Sequence, residues 1–313
     1  MRAFAIDDYG APGSLHVLPT PEVGAGQLLV RIHAAGVNPA DWKLRDGLFG
    51  TRGRPFPLVL GQDFAGVVER IGAQVSGYAV GDRVFGVAPH GSYAEYAAVD
   101  ASGPMARIPA SLDDARAAAL PTAGLTALAS IAFVDPKPDE TLLVVGATGG
   151  VGGYATQIAH ARGVRVVATA RSGKERVARS FGADEVIAYD LCDVVAEVTK
   201  AHPKGVEALI DVVSDDAALK RISEVLRRPG GRLATTVFAA DETWFAQHGL
   251  RAANIAAQKT PQWSPEGLAE LARMVESGAL SVRIDAEMAL ADAGRALERS
   301  KTGQISGKIV LRA

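Results

Sequence analysis

Between Leu142 and Val237, short apolar runs and helical stretches alternate strictly, and no other feature of the chain constrains its fold as much. The pattern predicts strands at Leu142 to Val145, Val164 to Ala168, Val186-Ile187, Glu207 to Val213 and Gly231 to Val237. Helices close near Ala161 and Phe181, and a further helical stretch follows Ile187. Parallel strands can be joined only by a crossover, and a helix of this length supplies one. The segment therefore reads as a parallel, doubly wound sheet, which makes the chain α/β.

The flanks have a different texture. Leu28 to Ile32, Val67 to Ile71, Asp82 to Val87 and Ala94 to Val99 are short runs broken by glycine and proline, the pattern of a β-rich domain opened by a first strand at Met1 to Ile6. From Asp113 the sequence turns alanine-rich and helical. Beyond about Pro261 it predicts helices at Pro265 to Glu276 and Ala291 to Arg299, then a closing strand at Lys308 to Leu311. Fifty-odd residues bury too little surface to stand alone, so this tail is expected to complete the N-terminal domain. The expected organisation is one domain from residues 1–121 and 262–313, and a second from 122–261.

Composition removes several functions. The 313 residues carry a formal net charge of -2, with bases scattered among acids, so no stripe suited to a polyanion is present and nucleic acid is not an expected partner. Met1 to Ile6 runs straight into Asp7-Asp8, and Ala115 to Val134 is interrupted by Arg116, Pro121, Thr122 and Thr126. Neither serves as a signal peptide or a membrane span, and a cytoplasmic location is expected. The single cysteine, Cys192, can form neither an internal disulfide nor a cysteine cluster for metal.

The segment Val144-Val145-Gly146-Ala147-Thr148-Gly149-Gly150-Val151-Gly152 follows a predicted strand and opens a predicted helix. In that context a glycine-rich turn is a dinucleotide signature: a middle glycine lets backbone approach a pyrophosphate, a last glycine lets helix and strand pack closely, and the helix N-terminus offers free N–H groups. The three positions fall at Ala147, Gly149 and Gly152, so the first glycine is replaced by alanine. Contacts to the cofactor are expected from Ala147, Thr148, Gly149, Gly150 and Val151. Some twenty residues on, an NAD enzyme places an acid against the ribose 2′-hydroxyl. Here Ala168-Thr169-Ala170-Arg171-Ser172-Gly173-Lys174 holds none before Glu175. Arg171, Ser172 and Lys174 suit a 2′-phosphate, which points to NADPH; the alternative is that they are solvated charges at a strand end.

Four motifs resemble the quinone oxidoreductase branch, the ζ-crystallin branch, of the medium-chain dehydrogenase/reductase superfamily. They are Ala35-Gly36-Val37-Asn38-Pro39-Ala40-Asp41, Leu60-Gly61-Gln62-Asp63-Phe64-Ala65-Gly66-Val67-Val68, the loop from Ala147 to Gly152, and Gly307-Lys308-Ile309-Val310-Leu311. The resemblance implies a GroES-like β-rich substrate domain interrupted by a Rossmann domain, a cleft between them, and commonly a homodimer. Zinc relatives carry a Cys at the place of Asn38 and a His-Glu pair at Gln62-Asp63; both are missing. The six histidines, His16, His33, His90, His160, His202 and His248, show no ligand spacing, so no metal is expected.

Without a Lewis acid, reduction of a quinone or another α,β-unsaturated carbonyl asks less of the protein than alcohol oxidation does. The resemblance places Asn38 beside nicotinamide and substrate, although it can equally cap the turn before Pro39. Lys43 stands where several relatives have a tyrosine lining the substrate site, and can either donate to an enolate or point to solvent. Asp41 and Asp63 can act as acids only if burial raises their pKa, and structural hydrogen bonding is the expected role for both. By position, Thr126, Tyr189, Val213, Phe238 and Lys308 are further cofactor contacts, with a strand-end core role as the alternative for Val213 and Phe238. Two rival functions stay open: an enal, enone or enoyl-thioester reductase, and an NADPH-binding protein without catalysis.

Overall fold

The computed structural model describes residues 1–49 and 55–313, which form two compact units. One comprises Met1–Thr122, Ser264–Glu276 and Val282–Ala313; the other comprises Ala123–Trp263 and Ser277–Ser281.

Along the chain, β1 (Arg2–Ile6), β2 (Ser14–Val17) and β3 (Gln27–Val37) precede helix α1 (Pro39–Arg45). Strands β4 (Leu58–Val59), β5 (Asp63–Ile71), β6 (Arg83–Val87), β7 (Tyr96–Asp100) and β8 (Met105–Arg107) follow. Helices α2 (Asp114–Ala118) and α3 (Pro121–Val134) lead into β9 (Thr141–Val145), α4 (Gly150–Ala161), β10 (Arg165–Ala170), α5 (Glu175–Ser180) and β11 (Glu185–Ala188). Next come α6 (Val194–Ala201), β12 (Ala208–Asp211), α7 (Asp216–Ile222), β13 (Arg232–Thr235), α8 (Glu242–Gln247) and β14 (Arg251–Asn254). The chain closes with α9 (Pro265–Glu276), β15 (Ile284–Ala289), α10 (Ala293–Lys301) and β16 (Lys308–Arg312).

In the first unit, β3 is the spine of a sheet ordered β15-β16-β3-β5-β6-β8. One edge of β3 pairs with β5. The other is shared, with β7 on Gln27 to Arg31 and β16 on Ala34 to Val37. That sharing is why β3 needs eleven residues. A second sheet runs β2-β1-β4. Phe4 and Ile6 of β1, Val37 of β3, Tyr93, Leu297 of α10 and Leu311 of β16 meet in one core. Phe64, Val68, Val84 and Met105 contribute to another. Each such side chain stabilises by roughly 1.5–3 kcal/mol relative to exposure.

In the second unit, six parallel strands run in the order β11-β10-β9-β12-β13-β14. Strand β12 is buried throughout, as a parallel strand covered on both faces must be. Leu143, Val167, Leu209 and Leu233 pack with Val198 of α6, Leu219 of α7 and Phe245 of α8. The strand order reverses between β9 and β12. Ligands of doubly wound sheets bind at this switch point, beyond the carboxyl ends of the strands.

The expected α/β class and the parallel sheet are the ones observed. The strand predicted over Glu207 to Val213 is shorter, because the Asp211 carboxylate turns back to accept the N–H groups of Val213 and Ser214. Strand β14 carries no apolar run; Arg251-Ala252-Ala253-Asn254 pairs at a sheet edge, where burial asks little of the sequence. Among the described residues, no helix is long and apolar enough to cross a membrane.

Candidate functional site

Beyond β9 the chain turns at Gly146, whose φ is +87°. A Cβ there would lie 2.6 Å from Val213 Cγ2 and 2.7 Å from Val212 Cγ2, so backbone angle and space both require glycine. The tight bend is thus made at Gly146, one residue before the first fingerprint position, and Ala147, which fills that position, is fully buried. At Gly152 a Cβ would come within 2.2 Å of the Gly146 carbonyl oxygen, so its absence is what lets α4 pack on the turn. Gly149 is different. An added Cβ would meet only the Gly146 oxygen, at 3.6 Å, an ordinary contact. The protein's own packing does not ask for glycine here, whereas a phosphate approaching the backbone would. Gly149 is also the N-cap of the twelve-residue α4 and supplies no capping side chain. The first N–H groups of the helix are left without side-chain acceptors at partly exposed residues Gly150 and Val151, next to Thr148.

At the end of β10, Arg171 is 55% exposed in its side chain and Lys174 is exposed, while Gly173, φ +80°, lets the Lys174 N–H reach the Arg171 carbonyl. Both donors of Ser172 are occupied. Its N–H donates to Asp190 Oδ1 at 2.7 Å and its hydroxyl to Asp190 Oδ2 at 2.6 Å. Arg171 Nε lies 3.9 Å from the same Oδ2. The Ser172 hydroxyl, then its N–H, and further off the Arg171 guanidinium, hold the Asp190 carboxyl below the usual carboxylate range. Between Ala168 and Glu175 the sequence holds no acid; the fold brings one in from the turn after the neighbouring strand β11. Register could have revealed it: Ala170 pairs with Ala188, so positions two residues beyond β10 and β11 lie level.

Tyr189 is exposed, and its N–H continues the ladder to the Ala170 carbonyl. Val213, after β12, is 64% exposed and Phe238, after β13, is 61% exposed, which overturns the strand-end core role for both. Phe238 also holds φ at +62°, a conformation that side-chain-bearing residues rarely adopt. Thr126 is buried in the first half of α3, where its carbonyl accepts the Ser130 hydroxyl.

In the other unit, Asn38 follows β3 as the N-cap of α1 and precedes Pro39, the first residue of that helix. Its amide is fixed at both ends. Lys308 Nζ donates to Asn38 Oδ1 at 2.5 Å and to the Val37 carbonyl at 2.8 Å, and Asn38 Nδ2 donates to Asp63 Oδ2 at 2.9 Å. An ammonium can only donate and a carboxylate can only accept, so the neighbours determine which way the amide faces. Asp63 also accepts the N–H and hydroxyl of Thr122, the second residue of α3. Asp41 Oδ2 accepts the Asn38 N–H and the Tyr93 hydroxyl, each at 2.8 Å.

This cluster is buried, Lys308 and Asn38 being 3% exposed. Burial drives all three charges toward neutrality. It lowers the Lys308 pKa against the pull of Asp63 and Asp41, and raises that of Asp63 against Lys308 and Thr122. Asp41 is raised to about 7 by burial, with Asp63 adding and the Asn38 N–H and Tyr93 hydroxyl opposing. Lys308, expected near the cofactor, thus spends its ammonium on Asn38 and Val37. The hydrogen-bonding roles expected of Asp41 and Asp63 are present, while the parts of Tyr93 and Thr122 were not anticipated. Lys43 stands apart from this network, half-buried on α1 with Nζ 5.7 Å from the Trp42 ring centroid.

Residues 24–110 match the alcohol dehydrogenase GroES-like domain family and residues 181–311 the zinc-binding dehydrogenase family. The chloroplastic quinone-oxidoreductase QR1 of Triphysaria versicolor is 31% identical over 99% of this chain and 98% of its own length. The chain belongs to the medium-chain dehydrogenase/reductase superfamily, among its quinone-oxidoreductase-like oxidoreductases. A second medium-chain relative, the 2-methylene-furan-3-one reductase of Solanum lycopersicum, is 35% identical over 75% of this chain and 66% of its own. Among medium-chain structures, the Escherichia coli quinone oxidoreductase complexed with NADPH covers 100% of both chains at 26% identity, with a TM-score of 0.89.

Although the second family's description names zinc, the donor set here does not fit that metal. Among the described residues no three His, Cys, Asp or Glu side chains gather as a metal cluster. Where zinc relatives place a thiolate, this chain has an amide whose oxygen already accepts from an ammonium, and a dication beside Lys308 would meet a like charge.

Proposed function

We propose that this chain is an NADPH-dependent reductase that passes hydride to a quinone or a related α,β-unsaturated carbonyl compound, without zinc. The observation that carries the reading is the glycine turn at the switch point of the parallel sheet, where Gly149 is dispensable for packing and the N-terminus of α4 is uncapped. The residues present suit the dinucleotide. Thr148, Gly149, Gly150 and Val151, underlain by Ala147, face the pyrophosphate; Arg171, Ser172, Lys174 and Tyr189 face the adenosine 2′-phosphate; Thr126, Val213 and Phe238 serve the rest of the cofactor. When bound, NADPH supplies the hydride.

The protein contributes position and electrostatics. Asn38, its amide held by Lys308 and Asp63, keeps one Nδ2 hydrogen not committed to Asp63, which suits it to donate to a carbonyl oxygen that gains charge. Lys308 acts through Asn38 as a positioning residue. Lys43 is a second donor, and water provides the proton. The protein works as a cytoplasmic homodimer on a freely diffusing acceptor. Similarity to a 2-methylene-furan-3-one reductase favours enones as a second acceptor class.

Steady-state oxidation of NADPH and of NADH, each against quinones, enones and alkenals, tests the reading. Turnover with NADPH and a quinone supports it, turnover with enones alone favours the second class, and tight NADPH binding without turnover on any acceptor overturns the enzymatic role.

A further inference from the structure

We propose that Asp190 sets how strongly this chain prefers the phosphorylated nucleotide, by competing with the 2′-phosphate for Ser172. The inference rests on the cofactor site proposed above. At the end of the second strand of a dinucleotide fold, the adenosine ribose meets the protein, and a 2′-phosphate there needs donors. The chain offers the Ser172 N–H, the Ser172 hydroxyl, Arg171 and Lys174. Asp190 already takes the two from Ser172 in a two-pronged clasp, at 2.7 and 2.6 Å, and lies 3.9 Å from Arg171. Its two carboxylate oxygens hold the places that two phosphate oxygens would take.

Two anions cannot share these donors without repulsion, and a 2′-phosphate carries a charge near -2 at neutral pH. The clasp is open to water. The Asp190 side chain is 28% exposed, so it can rotate into water when a stronger anion arrives. A ribose 2′-hydroxyl places the opposite demand on the site: it brings no charge and can donate to the carboxylate. Asp190 therefore narrows the preference that Arg171 and Lys174 alone would impose, penalising NADPH and accommodating NADH. Its position explains how this happens without an acid on β10. The in-register pairing of β10 with β11 sets Asp190 level with Ser172.

Calorimetry on the full chain and on Asp190→Asn, with NADPH, NADH, 2′,5′-ADP and 5′-ADP as probes, tests the inference. In the variant, NADPH and 2′,5′-ADP should bind about tenfold tighter while NADH and 5′-ADP stay within a few fold or weaken, and the gain should shrink at high salt. Asp190→Ser, smaller and equally neutral, should behave the same way. If both variants change the affinity for phosphorylated and unphosphorylated nucleotides by one common factor, Asp190 only braces the turn and the inference falls. A wild type that favours NADH and a variant that turns to NADPH would keep the inference and reject the cofactor preference. A wild type that favours NADPH by a ratio the variants leave unchanged would do the reverse. Absence of binding by any of the proteins removes both.

Discussion

Gly149, the N-cap of α4, and Gly152, in its first turn, do different work, and substitution separates them. Gly152→Ala forces a Cβ to within 2.2 Å of a backbone oxygen, so urea denaturation should show a loss of about 3 kcal/mol or more. Gly149→Ala meets only an ordinary contact, so its stability cost should stay near 1 kcal/mol, the difference expected for alanine at an N-cap. Its NADPH affinity should nevertheless fall by at least tenfold, because the new methyl stands where a phosphate approaches. Equal losses of stability in the two variants would mean that the turn is purely structural. At the phosphate end, Arg171→Ala removes one charge-assisted hydrogen bond, on the order of 1.5–3 kcal/mol, weakening NADPH about ten- to hundredfold while NADH changes little. Titration of both nucleotides measures that ratio directly.

At the scale of elements, what the sequence revealed and what it hid follow from how each strand is buried. Strands β9, β10, β12 and β13 lie inside a sheet covered on both faces, so their apolar runs stand out from the helices between them. Strands β2 and β14 are sheet edges with exposed or mixed patterns, and they leave no comparable trace. The turn after β9 was legible as a glycine-rich segment, yet which glycine makes the tight bend depends on Val212 and Val213, over sixty residues away. The same limit applies to Asp190 and to Thr122: each meets its partner across a strand pairing or a turn, where linear spacing carries no information. Asn38 was legible as a motif residue, while its anchoring by Lys308 joins positions 270 residues apart.

For the molecule as a whole, the buried cluster around Asn38 makes stability depend on pH in an unusual direction. Asp41 titrates near 3.8 when unfolded and at about 7 when folded, so between those values the native chain holds a proton that the unfolded chain has released. Stability contributed by the protonated acid is full below the lower value and is lost as pH rises through the upper one, by roughly 3–5 kcal/mol in all. Asp41→Asn copies the protonated acid and keeps an oxygen for the Asn38 N–H and the Tyr93 hydroxyl. The variant's margin over the wild type should widen by roughly 2–3 kcal/mol between pH 5 and pH 8, read from denaturation curves. A difference between the two that does not vary with pH would show that Asp41 stays charged in the native state.

The shared edge of β3 has a consequence for the order in which a ribosome can complete this protein. Half of that edge is covered only by β16, whose Lys308 also closes the polar cluster, so the first unit cannot finish until Lys308–Arg312 have emerged. The parallel sheet lies within one nearly continuous stretch of chain and is free to settle earlier. Ribosome-bound chains arrested shortly before Lys308 should therefore resist protease across the parallel sheet while β3 is still cut, a sequence of events opposite to the order of synthesis.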